Sequence, residues 1–292
     1  MRFAVIGGDM RTAGLCRLLD KAGETVSVYA LNMAGLPEEW QTQDVKTAVE
    51  GADCVVLPLP AKGDDGTVNA PFFSGKLKME ELFDAVAPGS LVCAGQTDDN
   101  MRVLASRRNI VLADYFRREE LAVKNAALTA EGAVEILIGS TSRTLQKSRV
   151  LIVGWGRIGR VLAYRLRGMG ADVTVSSRQL GHMAWCQVLG FGSADTRELK
   201  ELVGDFDIIV NTVPAKVLGW EELSRVRKGA LVMDLASKPG GLDFDAAAKL
   251  EVDTVWALSL PGKAAPDSAG EIILETIYNI VREREKGDGA NE

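Results

Sequence analysis

Gly154, Gly156 and Gly159 stand at the spacing G-x-G-x-x-G directly behind the apolar run Val150-Leu151-Ile152-Val153. Glycines placed so, between a strand and a helix, let backbone come close to a diphosphate. The first permits a tight turn off the strand, the second leaves room for phosphate oxygens, and the third lets the helix pack on the strand. The helix start then faces the anion with unpaired N–H groups. Trp155, Arg157 and Ile158 belong to the same turn and are counted with it. Ile158, Val161, Leu162 and Leu166 recur at helical spacing, and a second apolar strand is expected over residues 171–177. That context makes a common glycine pattern a dinucleotide site.

The end of this second strand bears on which dinucleotide. An acid there, about 20 residues past the first glycine, would hold a ribose 2′-hydroxyl; this chain has Ser176, Ser177 and Arg178. Hydroxyls and a guanidinium suit a 2′-phosphate, so NADP is the expected cofactor, with NAD possible. Two later loops join the site. Asn211 closes a strand, and Thr212, Val213 and Pro214 behind it are expected to run over the cofactor. Residues 234–241, Asp-Leu-Ala-Ser-Lys-Pro-Gly-Gly, allow close backbone approach to a ligand. Leu235 and Ala236 are placed there with the cofactor, and Ser237 and Lys238 with the substrate. Residues 260–266, Leu-Pro-Gly-Lys-Ala-Ala-Pro, read as a third such loop.

The chain's beginning also sets glycines behind a strand, as Gly7-Gly8-Asp9-Met10-Arg11. The spacing fails, because Gly14 lies too far on and Asp9 would bring a negative charge to a diphosphate. The first half is therefore assigned to substrate. Arg11, on the first turn of a helix, is the candidate clamp for a carboxylate through two parallel hydrogen bonds. His182 is the chain's one histidine. It follows Arg178 closely, which makes it structural or adenosine-proximal rather than an acid–base group. Dehydrogenases of D-2-hydroxy acids share a two-domain layout but relay protons through a histidine late in the chain, and none stands there.

The elements that must position these residues alternate. Strands are expected at 3–6, 25–29, 54–57, 91–94 and 110–112, with helices at 11–22 and 79–85. A long helix over 119–142 leads to a second series of strands at 149–153, 171–177, 208–211, 231–234 and 254–257, and a final helix runs over 268–285. This is an α/β chain of two doubly wound, Rossmann-like domains with a cleft between them, joined by long helices. The expected division is a substrate domain over 1–118 completed by the helix 268–286, a connecting helix 119–142, a cofactor domain 143–267 and an irregular tail 287–292.

Composition narrows the class. The chain has 292 residues, 47% hydrophobic and 25% charged, with a net charge of −6. These values suit a globular cytoplasmic protein of two cores and disfavour a nucleic-acid binder. No apolar stretch is of membrane-spanning length. Four scattered cysteines read as buried, reduced thiols, and a single histidine gives no metal site.

Taken together these blocks resemble one family, the A subunit of dipicolinate synthase from spore-forming bacteria. The resemblance rests on residues 4–9 with Arg11, on Asn125 and Thr129-Ala130-Glu131-Gly132, on the glycines at 154–159, on residues 211–214 and 234–241, and on Leu260-Pro261-Gly262 with Ala265-Pro266 and Ala269-Gly270. Leu128 departs from it, standing where the family pattern has proline. The resemblance implies NAD(P)-dependent dehydrogenation of dihydrodipicolinate, or its hydrated precursor, to dipicolinate in the mother cell of a sporulating bacterium. It further implies a partner, the dipicolinate synthase B subunit, and self-association as a homo-oligomer. Arg11 and Lys238 become the expected clamps for the two carboxylates. Ser237, Thr129, Asn125 and Glu131 become candidates for hydrogen bonding or proton removal. A dehydrogenase of another small dicarboxylate or amino acid, and a cofactor-binding regulatory subunit, remain alternatives.

Overall fold

A computed structural model describes residues 1–32 and 35–289. The chain divides into two compact units, Met1–Asn125 with the stretch from Ala265 onward, and Ala126–Ala264. The division falls inside one long helix.

The first unit runs β1 (Arg2–Ile6), α1 (Met10–Lys21), β2 (Thr25–Tyr29), α2 (Val45–Val49), β3 (Cys54–Val56), α3 (Met79–Ala85), β4 (Leu91–Ala94), α4 (Asp99–Arg107) and β5 (Val111–Asp114), and leads into α5 (Glu119–Ser140). Its five strands are all parallel, in the order β2-β1-β3-β4-β5. Alternate residues of the central strands bury opposite faces. Phe3 and Val5 of β1 meet α1 on one side, and Ala4 and Ile6 meet α3 and α4 on the other. A parallel sheet covered on both faces explains these unbroken apolar runs. Aspartates start the helices: Asp9, Asp44 and Asp98 each accept a backbone N–H from the first turn of α1, α2 and α4.

The second unit continues from α5 through β6 (Arg149–Val153), α6 (Arg157–Gly168), β7 (Asp172–Ser177), α7 (Leu180–Val188), β8 (Gly192–Asp195), α8 (Leu199–Leu202), β9 (Ile208–Asn211), α9 (Trp220–Leu223), β10 (Leu231–Asp234), α10 (Phe244–Lys249), β11 (Asp253–Trp256) and α11 (Leu260–Ala264). Its six parallel strands lie in the order β11-β10-β9-β6-β7-β8. The chain returns to the first unit in α12 (Pro266–Gly289). There Ile273, Leu274, Ile277 and Val281 join the core beneath β1. α1 and α12 approach closely, since a Cβ on Gly270 would stand 2.7 Å from the Arg11 carbonyl.

Several elements differ from the sequence expectation. Residues 260–266 are not a loop: α11 and α12 occupy them, with Pro261 and Pro266 in first turns, where proline costs no helix bond. β8 and α7 were not anticipated. β8 is an edge strand of Gly-Ser-Ala-Asp, and α7 buries Cys186 while leaving Leu180, Trp185 and Val188 exposed, so neither carries a core-facing period. The irregular tail expected over 287–292 is helical through Gly289, and residues 290–292 lie outside the described residues.

Cys16, Cys54, Cys93 and Cys186 are all reduced and buried. Burial pushes the Cys16 thiol up to about 12, and burial also raises that of Cys186. Cys54 is raised by its hydrogen bond to Cys93 and by burial, the two sulfurs lying 3.8 Å apart. At pH 8 roughly one Cys16 in ten thousand would be thiolate, the reactive form. A thiol-reactive chromogen should therefore titrate almost nothing in the native protein within minutes and all four thiols after denaturation. Rapid native labelling would contradict this packing.

Candidate functional site

In an open parallel sheet a ligand sits at the carboxyl ends of the strands, where the strand order reverses. In the second sheet that point lies between β6 and β9. β6 ends in Val153, with Gly154 behind it, and β9 ends in Asn211; the Thr212 hydroxyl donates to the Val153 carbonyl at 2.9 Å, tying the two ends together. The three glycines take three distinct roles. Gly154 has φ +107°, and a Cβ on it would stand 2.6 Å from the Thr212 hydroxyl. A Cβ on Gly159 would stand 2.1 Å from the Gly154 carbonyl. A Cβ on Gly156 would meet nothing within 4 Å. Two glycines are thus required by the protein's own packing. The third, which is the N-cap of α6, faces open space. That is the cradle a diphosphate needs, so these residues fit a dinucleotide.

Behind the cradle, one carboxylate holds the neighbouring loops. Asp234 at the end of β10 has no exposed surface. Its Oδ1 accepts the Asn211 side-chain amide at 2.8 Å and the Ala236 N–H at 2.9 Å. Its Oδ2 accepts the N–H groups of Gly241 at 2.7 Å and Leu242 at 3.1 Å. Asn211 in turn donates to the Val213 carbonyl at 3.0 Å and accepts the Val213 N–H at 3.1 Å. Residues 211–214 and 234–241 are therefore one hydrogen-bonded assembly. Gly241 permits it, because a Cβ there would stand 2.3 Å from the Asn211 amide. The Trp256 indole donates to the Ala236 carbonyl at 3.1 Å and closes the outer side. Ser237, Lys238 and Pro239 project from the assembly as an exposed tip.

Several side chains assigned from sequence to the cofactor are instead core. Trp155 is buried and packs edge-on against Phe191, with ring centroids 5.8 Å apart. Leu235 and Ala236 are buried as well, so this segment can meet a ligand only through backbone. Ser176 has no exposed surface, and its hydroxyl accepts that of Thr196 at 3.3 Å, which removes it from contact with a ribose. Ser177 is buried too, and its hydroxyl accepts the Gln179 N–H and lies 3.1 Å from Nδ1 of His182. His182 is thus part of the turn into α7. Arg178, Arg157 and Pro214 are exposed, while Ile158, Thr212 and Val213 are half-buried.

In the first sheet the strand order reverses between β1 and β3. Arg11 stands there. Its Nε and Nη2 hold the Asp9 carboxylate at 2.7–3.1 Å, and Nη2 also donates to the Leu59 carbonyl behind β3. Asp9 meanwhile caps α1. This helix start carries its own anion, which is the physical reason the glycines at 7 and 8 make no phosphate cradle. With Nε and Nη2 committed, a ligand carboxylate would be read by Nη1 alone and not by a two-pronged fork.

The α5 residues separate. Asn125 and Thr129 lie four residues apart on one face of the helix, both half-buried and both in polar contact. Glu131 falls on another face, is exposed, and pairs with Arg165 of α6 at 2.8 Å. The helical period sets it apart from Thr129, and the ion pair occupies the carboxylate proposed as a base. Gly132 is needed for packing, since its Cβ would press on Ala264 and Leu260 of α11 at 3.2 Å. Leu128 is buried in mid-helix. Among the described residues no group of three or more His, Cys, Asp or Glu could hold a metal ion, and no helix is long and apolar enough to cross a membrane.

Comparison with known proteins agrees with this geometry. Residues 2–116 match the N-terminal domain of the dipicolinate synthase A subunit, and residues 138–238 match the NAD-binding domain of D-isomer specific 2-hydroxyacid dehydrogenases. The chain is 31% identical to the dipicolinate synthase A subunit of Bacillus subtilis (strain 168), across 99% of its own length and 98% of the relative's. The chain belongs to the dipicolinate synthase A-subunit family. Two crystal structures of that family share its fold. The one from Bacillus subtilis aligns with a TM-score of 0.88 at 28% identity, covering 98% of this chain and 97% of that one. The one from Bacillus halodurans aligns with a TM-score of 0.85 at 25% identity, covering 96% and 97%. With its dehydrogenase-type NAD-binding domain, this family member is an oxidoreductase that uses a nicotinamide cofactor.

Asp234 is the residue that sequence reasoning passed over. Its signal was an acid closing the apolar strand Leu-Val-Met-Asp, with Gly-Gly six and seven positions on. Asp234→Ala would orphan three buried backbone donors and the Asn211 amide, so it should destabilise the fold by about 3 kcal/mol or more and lower the melting temperature by several degrees. The glycines separate folding from binding. Gly156→Ala should leave the melting temperature nearly unchanged and weaken NADPH binding at least about tenfold, or 1.4 kcal/mol. Gly159→Ala should impair both. Equal NADPH affinity in Gly156→Ala, read by fluorescence titration, would contradict the cradle.

Proposed function

We propose that the chain dehydrogenates dihydrodipicolinate, or its hydrated precursor, to dipicolinate, with NADP as the cofactor. The observation that carries this reading is the end-to-end match to the dipicolinate synthase A subunit, in a chain whose glycine cradle and Asp234 assembly are both formed. Removing a hydride and a proton from a dihydropyridine gives an aromatic ring, and aromatisation supplies driving force. Such a site can work by positioning more than by a strong base. The bound cofactor supplies the ring that accepts the hydride.

This chain's own residues then have three tasks. The turn at residues 154–159 and the start of α6 hold the diphosphate. The Asp234 assembly fixes residues 211–214 and 234–241 as a rigid support, with backbone groups facing the ligand and the tip at Ser237 and Lys238 available to a substrate carboxylate. Arg11, oriented by Asp9 and Leu59, offers Nη1 to a carboxylate in the first unit. The departing proton goes to water, positioned by hydrogen-bonding groups such as Thr129 and Asn125 and not by Glu131, which is paired to Arg165. A second subunit of the B type is the proposed partner, the assembly is a homo-oligomer of this chain with it, and the setting is the cytoplasm of a sporulating mother cell.

Purified protein is to be mixed with dihydrodipicolinate and NADP⁺, with and without a B-type subunit, while NADPH and dipicolinate are followed together. Both should appear in equal amounts. No NADPH in either mixture would overturn the reading, and NADPH only with the partner would favour a regulatory or shared site. Arg11→Ala should raise the KM for dihydrodipicolinate about tenfold or more while leaving the affinity for NADPH unchanged. An unchanged KM would remove Arg11 from the substrate site.

A further inference from the structure

β7 and the edge strand β8 leave the second sheet side by side. Ser177, the last residue of β7, is in register with Asp195, the last of β8. Arg178 follows the first and is exposed; Arg197 follows the second by two residues, and its side chain is 67% exposed. Between them Thr196 turns inward and spends its hydroxyl on Ser176. The carboxyl edge on the adenosine side of the cradle thus shows four charges: Asp195, Arg197, Glu198 and Arg178.

Asp195 is not a free acid. Its Oδ1 accepts the backbone N–H of Arg197 at 2.9 Å and Nε at 3.0 Å, and its Oδ2 accepts Nη2 at 2.6 Å and Nε at 3.1 Å. Those bonds occupy both oxygens. Arg197 holds the carboxyl at about 2, and the charge of Arg178 acts in the same direction. An acid engaged in this way does not offer itself to a ribose 2′-hydroxyl, as the acid of an NAD site does. Asp195 spends its charge on Arg197 and orients that guanidinium through Nε and Nη2, while Glu198 acts on Arg197 as a second carboxylate.

We propose that Arg197, positioned by Asp195, is a specificity-determining residue that reads the 2′-phosphate of NADP together with Arg178. The proposal rests on the nicotinamide-nucleotide reading above and adds to it a second cation and the residue that orients it. Arg197 has its Nη1 for a phosphate oxygen, and Arg178 supplies the opposing charge. Arginine suits this task through its fixed planar donors and weak hydration.

The test is the ratio of dissociation constants for NADH and NADPH, measured by fluorescence titration of the full chain, with adenosine 2′,5′-bisphosphate as a competing probe. The native protein should favour NADPH. Arg197→Ala should cut the ratio about tenfold and weaken the bisphosphate equally while sparing NADH, and Arg197→Lys should restore part of it. Arg178→Ala should act likewise, and melting temperatures should be unchanged, because both side chains are exposed. If the native protein favours NADPH and Arg197→Ala keeps the ratio within about twofold, this inference alone fails. It fails in the same way if Arg197→Ala weakens NADH and NADPH equally. If the native protein favours NADH, the NADP reading falls with it. If neither nucleotide binds, the nucleotide site itself is wrong.

Discussion

A carboxylate with no exposed surface sits at the centre of the second unit's working edge, and the loops around it follow from the cost of leaving it unpaired. Isolated in an apolar interior, the Asp234 charge would be expensive. It is instead met by four neutral donors, one from Asn211 and three from the backbone of residues 236, 241 and 242. Each bond fixes a different stretch of chain. Two loops that would otherwise wander over the sheet become a single shaped surface, and Gly241 is required there because any side chain would strike the Asn211 amide. The site's rigidity is therefore built into a polar core, with the ligand-facing backbone held from behind.

The two sheets share parallel strands, central glycines and a helix starting behind the first strand, yet they use that helix start in opposite ways. In the first unit Asp9 supplies the anion from within the chain and Arg11 neutralises it. In the second unit Gly156 has no side chain to do so, and the space before α6 is open. The difference between a helix start that closes on itself and one that stays open to an anion comes down to one side chain at the N-cap. The same Asp-x-Arg bracket recurs at Asp195 and Arg197, at the end of an edge strand, where Asp195 likewise caps the short 3-10 turn over residues 196–198. There it leaves an exposed, oriented guanidinium.

Much of this was legible in the sequence. The alternation of buried strands with helices, the parallel sheets and the glycine cradle all follow from local rules: period, spacing and the turn that each glycine permits. What stayed hidden depends on orientation. Ser176 and Ser177 looked like hydroxyls at a strand end, but the pleat and the turn into α7 direct both inward. Glu131 looked adjacent to Thr129, but two residues along a helix is the opposite side. Trp155 sat inside the glycine motif, yet its ring fills the core beside Phe191. Asp234 was invisible as a hub because its partners lie up to 23 residues away in sequence, and no spacing rule connects them. Arg11 was placed correctly on the first turn of a helix, but its engagement by Asp9 appears only when the helix start is built.

The central claim is that the second sheet's edge receives the nucleotide's diphosphate and the first sheet's edge does not. A crystal structure of the protein with bound NADPH tests this most directly. The account places the diphosphate against the backbone at Gly156 and the start of α6, with the 2′-phosphate beside Arg178 and Arg197. A diphosphate at Gly7 and Gly8, with Asp9 displaced from the start of α1, would contradict it.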